Sequence, residues 1–198
     1  VMDRRVALKN LGLGFGYAVA TPTLLSILQS CTSEASLPWT PVLLSANQAH
    51  VLTLVVDVML PKTDSPSASE VNIPQFVDKL LAETVPAEDQ PKSLKGLDAF
   101  IAEALASSGK SNPADLTEAD VDVVLAATLK ISAEERAALT GGMAEAAAWA
   151  SEIRGTAIWA YKNSEVVGEQ HLAYDPVPGQ WIACGNLQEL TQGKVYSL

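Results

Sequence analysis

The feature that most limits how this chain can fold is a stretch with no charge at all. Leu11 to Leu28 carries no acidic or basic side chain, and it lies just after Asp3-Arg-Arg-Val-Ala-Leu-Lys9. A basic start ahead of an apolar run is the pattern of an export signal or a membrane anchor. A helix from Asn10 to Ser30 would be about 30 Å long, enough to cross a hydrocarbon core, with Pro22 as a place to kink. The competing reading, a buried core helix, fits poorly with the abrupt basic start and the polar residues after Cys31. Residues 1–31 are therefore expected to be an anchor that spans the membrane through residues 10–30. The excess of positive charge places Arg4, Arg5 and Lys9 in the cytoplasm and the remainder of the chain in the periplasm, beyond the inner membrane.

Two finer features belong to this segment. Arg4-Arg5, with Leu8 and Lys9 following and Gly12, Gly14 and Gly16 diluting the apolar run, resembles a twin-arginine signal, which exports proteins already folded. The run closes on Leu28-Gln29-Ser30-Cys31, similar to a lipoprotein processing site in which the cysteine is acylated; Gln29 departs from that pattern. Cys31 is thus a candidate for lipidation or for a disulfide with Cys184, since both would lie where disulfides persist; a bridge from Cys184 to another subunit and a free, buried Cys184 are the alternatives.

The rest of the chain reads as a small all-α domain. Residues 32–44 are polar and proline-bearing, a linker. Ser45-Ala-Asn-Gln48 is a capping box opening a helix that Pro61 stops. Pro74 suits a helix first turn, with Phe76, Val77, Leu80 and Leu81 as its apolar stripe. Leu94 to Ser107 is helical and ends at Gly109, and Thr117-Glu-Ala-Asp120 and Ser132-Ala-Glu-Glu135 open two more helices. The alanine-rich stretch from Arg136 to Tyr161 is helical, with Gly141-Gly142 as a break. Five or six short helices thus fill residues 45–161. From 162 to 198, Gly168, Pro176, Pro178, Gly179, Gly185 and Gly193 predict an irregular, extended tail. Trp39 is expected at the membrane interface, and Trp149 and Trp159 are expected in the core.

Composition narrows the function. There are 13 Lys and Arg against 23 Asp and Glu, a net charge of −10. Without residues 1–30, ten cations remain against 22 anions, a net of −12. A body this acidic is a poor partner for nucleic acid. Motifs for chemistry are missing as well. Gly12-Leu-Gly-Phe-Gly16 fails the dinucleotide pattern at Tyr17, and Gly109-Lys-Ser111 fails the phosphate-loop pattern at Ala104. No Gly-x-Ser-x-Gly elbow and no Cys-x-x-Cys-His run occur. His50, on the polar side of the first body helix, and His171 read as ordinary surface or interface histidines. No catalytic, cofactor-binding or metal-binding residue is therefore assigned.

Three stretches stand together: Asp3-Arg-Arg-Val-Ala-Leu-Lys9; Leu60-Pro-Lys-Thr-Asp-Ser-Pro66 with Val71-Asn-Ile-Pro-Gln-Phe-Val-Asp78; and Tyr161-Lys-Asn-Ser-Glu-Val-Val-Gly168 leading to Tyr174-Asp-Pro-Val-Pro-Gly179 and Cys184. In this order they resemble the gluconate 2-dehydrogenase subunit 3 family. The pattern is blurred at Ser67-Ala68, and Glu88 to Gly142 matches only in being helical. The resemblance implies a small non-catalytic subunit without a cofactor of its own. It would accompany a large flavin dehydrogenase subunit, often with a multihaem cytochrome c, serving that partner in export and assembly. A second reading is a structural subunit of another respiratory or photosynthetic electron-transfer complex, held among its integral membrane subunits by the N-terminal helix. The loop 62–69 and the tail 163–198 are the candidate partner interface; the alternative is that they fold back on the helices and cap their own core. Both are polar segments bounded by prolines, and such segments stay ordered when something packs on them. Thr63, Asp64, Tyr161, Tyr174, Pro178 and Trp181 are its candidate residues.

Overall fold

A computed structural model describes residues 34–177, 179–180 and 182–197. Among these residues the regular structure is helical. The α-helices are α1 (Ala46–Met59), α2 (Ile73–Thr84), α3 (Gln90–Ser108), α4 (Glu118–Leu129), α5 (Ala133–Ala138), α6 (Gly141–Lys162) and α7 (Leu187–Thr191). Short 3₁₀ turns at Ser69–Val71 and Pro113–Asp115 and a π-helical turn at Val167–His171 complete them. No helix among the described residues is long and apolar enough to cross a membrane. The expected anchor at 10–30, with Arg4, Arg5, Lys9 and Cys31, lies outside the described residues.

The helix starts follow from local chemistry. Gln48 N–H donates to Ser45 Oγ at 3.3 Å, and Gln48 Oε1 accepts from Ser45 N–H at 3.0 Å, so each satisfies an orphan group of the other. Ser132 and Glu135 do the same at the head of α5, which holds the Glu135 carboxyl below the usual carboxylate range. Gly109 stops α3 in the left-handed region at φ 69°, where a Cβ would be strained. Thr140 caps α6, so the expected break falls immediately before Gly141 and separates α5 from α6.

The centre of the body is the α3–α6 pair. Leu97, Phe100, Ile101 and Ala104 of α3 face Ala146, Trp149, Ala150 and Ile153 of α6. Small residues along α6 let the axes approach, and Gly96 sits directly against the Trp149 Cβ. Phe100 and Trp149 pack ring on ring, centroids 5.1 Å apart and tilted by 51°. Helix α1, with Val51, Leu52, Val55 and Val56 buried, and α4, with Val121, Val124 and Leu125, close the core from the other side.

The structure differs from these expectations at Trp159 and Phe76, in residues 35–44 and in the tail. Trp159 is not a core residue: it is 50% exposed, and Phe76, expected in the α2 stripe, is 40% exposed beside it. The described part of the expected linker is packed onto the body, with Leu44 buried and Leu37 and Trp39 against the core, so Trp39 has a protein contact at the place where an interfacial role was expected. His50 is half-buried, and its Nε2 lies 3.2 Å from the Leu116 carbonyl oxygen. The tail is less extended than expected, since it holds the π-helical turn and α7.

One surface cluster makes a pH prediction. Asp120 Oδ2 accepts from Lys110 Nζ at 2.6 Å and from both the Thr117 hydroxyl (2.6 Å) and its backbone N–H (2.7 Å). The Lys110 bond, with help from Thr117, lowers the Asp120 pKa from 3.8 to about 2. A lowered carboxylate pKa stabilises the fold above the unfolded value, and the contribution is lost as pH falls through the folded value. The Tm difference between wild type and Asp120→Asn should therefore be constant above about pH 5 and shrink as the pH falls from there through 3.8 to about 2. A difference independent of pH across that window would show that the carboxylate charge contributes nothing.

Candidate interaction surface

Two of the predicted interface elements meet. Tyr161, in the last turn of α6, donates its hydroxyl proton to the Pro66 carbonyl at 2.6 Å and so ties the end of α6 to the 61–72 loop. The same loop is held from below: Ser69 N–H donates to Asp57 Oδ1 at 2.8 Å, and Ala68 N–H to the Leu60 carbonyl at 3.0 Å. Glu70 accepts from Ser67 N–H and pairs with Lys62, and these two contacts lower its pKa. The loop is thus ordered by its own chain. Thr63 and Asp64 stand exposed at its tip, with Thr63 N–H bonded to the Ser65 carbonyl.

The tail closes on itself. Ala173 N–H donates to the Val195 carbonyl at 2.8 Å, and Ser197 N–H returns a bond to the Ala173 carbonyl at 2.9 Å. Lys194 Nζ adds a bond to the Gln170 carbonyl. Val167 and Thr191 are buried, but Tyr174, Val177, Ile182, Leu187, Leu190, Val195 and Tyr196 are exposed. Tyr174, at 50% exposure, lines a shallow concavity of about 250 Å³ with Leu190 and Tyr196. Cys184 is exposed and has no disulfide partner among the described residues. Pro178 and Trp181 lie outside the described residues, so the predicted tail site is seen through Tyr174 alone.

Inference from the sequence missed the exposed aromatic pair. Phe76 of α2 and Trp159 of α6 lie with ring centroids 5.7 Å apart, tilted by 49°. A signal was available. Ten residues along a helix turn a side chain about 80° from the first, and Trp159 lies on the side of Trp149 away from Ala150, Ile153, Ala157 and Ala160, which form the small, apolar face. No group of three or more His, Cys, Asp or Glu that could hold a metal occurs among the described residues.

The class defined by these features is an all-helical body whose apolar side chains continue from a closed core onto its surface. Residues 46–179 match the family model described as gluconate 2-dehydrogenase subunit 3, and the chain belongs to that family. Comparison with curated proteins and with solved structures gave no match. The matched span contains the whole helical body and the first part of the tail, including Tyr161 and Tyr174. The family is that of a subunit of a dehydrogenase, and membership implies association with a dehydrogenase complex.

Proposed function

We propose that this chain is a non-catalytic accessory subunit that stabilises a large flavin dehydrogenase subunit and carries it to the membrane. The observation that supports this best is the family match, which runs unbroken from the first turn of α1 through the Tyr161–Pro66 tie and into the tail at residue 179. The exposed apolar residues of the tail give such a partner something to cover: side chains such as Val177, Leu187 and Val195 gain burial when an interface forms. The basic start and uncharged run of residues 3–28 suit export across the inner membrane with the body in the periplasm, and a flavoprotein loaded in the cytoplasm would need to cross folded. A cytochrome c completes the proposed electron path beyond the flavin subunit.

The test is a gentle detergent purification of the tagged full chain from its native membrane, with an absorption spectrum and mass spectrometry of what accompanies it. A flavin spectrum and one large dehydrogenase chain are expected. Haem or pigment absorption with integral membrane subunits, and no flavin dehydrogenase, overturns the reading in favour of another electron-transfer complex. Truncation after Tyr161 should abolish complex formation while the helical body still melts cooperatively; unaltered complex formation would remove the tail from the interface.

A further inference from the structure

The positive charges of the body are almost all spoken for. Lys62, Lys79, Lys92, Lys95, Lys110 and Lys130 each pair with a carboxylate. Arg136 donates to the Ser151 hydroxyl and the Leu129 carbonyl, and Lys194 to the Gln170 carbonyl. Among the described residues two cations remain, Arg154 and Lys162, with neither an ion pair nor a side-chain hydrogen bond.

Their placement is not scattered. Both lie on α6, eight residues apart, and Ile158 stands midway between them at 42% exposure. Residues four apart on a helix share a face, so Arg154, Ile158 and Lys162 form one stripe, about 12 Å from end to end. Beside the stripe runs a groove of about 320 Å³, floored by Val58 and Met59 at the end of α1 and by Leu125 and Leu129 of α4, with Arg154 and Ile158 on its α6 wall. Lys130 and Asp122 also border it, and their charges offset each other at 3.4 Å, which leaves Arg154 as the unpaired charge on its wall. An apolar slot with an unneutralised guanidinium on its wall is unusual on a body of net charge −12, where most of the surface repels anions. Charge complementarity therefore selects a particular occupant. A partner element that is acidic would be turned away elsewhere and accepted here, and its apolar side chain would fill the slot.

We propose that the Arg154–Ile158–Lys162 stripe and its groove dock an acidic amphipathic segment of the partner subunit, with an apolar side chain in the groove and two carboxylates about 12 Å apart on the two cations. This rests on the accessory-subunit reading and names the chemistry by which that subunit would be held.

The experiment uses the complex isolated through the tagged full chain. A carbodiimide activates a carboxylate, and the neighbouring Lys162 amine then attacks it to form an amide, the carboxylate oxygen leaving with the urea by-product. The expected product is a peptide joining Lys162 to an Asp or Glu of the partner, identified by mass spectrometry. The double variant Arg154→Glu/Lys162→Glu should bind about ten-fold more weakly and fall apart at lower salt, while Lys79→Glu/Lys92→Glu, which alters two other exposed cations, binds like wild type. Circular dichroism melts of both variants confirm that the fold is kept. Wild-type affinity in the double variant, with no adduct at Lys162 in the wild-type complex, overturns the proposal and leaves the accessory-subunit reading standing. An adduct between two copies of this chain, or loss of binding to phosphatidylglycerol vesicles with the protein complex unchanged, also overturns it. Failure of the wild-type chain to bring down any dehydrogenase subunit instead defeats the reading on which it rests.

Discussion

Replacing Asp78 with alanine should destabilise the helical body by about 3 kcal/mol, several times the effect of an ordinary surface substitution. Asp78 is 1% exposed and lies on α2. Its carboxylate accepts three consecutive backbone N–H groups: Val42 at 2.6 Å on Oδ2, and Leu43 at 3.1 Å and Leu44 at 2.8 Å on Oδ1. Bonds to an ionised acceptor are worth about 1.5–3 kcal/mol each, but Val42 is exposed and its N–H would find water, so the sum is not the loss. The Leu44 N–H is the buried one, and it pays most of the penalty. The corresponding drop in Tm is about 6–12 °C for a body of this size. Asp78→Asn separates charge from shape: its oxygen can serve Leu43 and Leu44, but its NH₂ then faces the Val42 N–H, donor against donor. It should cost about 2 kcal/mol despite being isosteric. A melt of Asp78→Ala within about 2 °C of wild type would show that the 42–44 segment does not depend on this carboxylate.

Gly96→Ala should also destabilise, against the usual direction of such a change. In a helix interior alanine is favoured over glycine by about 1 kcal/mol. Here the new Cβ would lie 2.6 Å from the Trp149 Cβ and 3.4 Å from the Glu145 carbonyl oxygen. Both obstacles belong to or adjoin the α6 backbone, so no side-chain rotation relieves them, and α3 and α6 must separate. Overpacking of this kind costs about 1–3 kcal/mol, and the loosened Phe100–Trp149 contact adds to it. The expected net loss is about 2 kcal/mol, read as a lower melting temperature and altered tryptophan fluorescence. Gly96→Ala should cost about as much in a Trp149→Phe background, because phenylalanine keeps the offending Cβ. Rescue by Trp149→Phe would place the strain in the indole ring and not in the helix spacing.

The helix boundaries were legible because they are set locally. Ser45 with Gln48, Ser132 with Glu135, and Gly109 each settle a helix end within four residues, and all three ends fall where the sequence puts them. What was not legible depends on residues far apart in the chain. Asp78 reads as one more acid on an amphipathic helix until the 42–44 backbone, some 35 residues earlier, is laid over it. The packed 35–44 segment is polar and proline-bearing, and nothing local distinguishes it from a linker. Tyr161 was singled out from the family resemblance, and its contact with Pro66, 95 residues away, gives that choice a physical content. Trp159 differs from Trp149 for a simpler reason: the two share a helix but point to different sides of it, one into the core and one beside Phe76 at the surface.

The Asp78 clamp also has a mechanical meaning. A chain pulled from its N-terminal side transmits tension along residues 35–44 before it reaches α1. The three bonds to Asp78 join that segment to α2 ahead of the Ser45–Gln48 cap, so a pull from this side meets them before it meets α1. Tension is passed sideways into α2 and the packed body, and the Ser45–Gln48 cap, with the first turn of α1 behind it, is shielded. Rupture under force is governed by the unfolding rate and not by equilibrium stability, so in a body drawn by its leading end this carboxylate would be the first point of resistance.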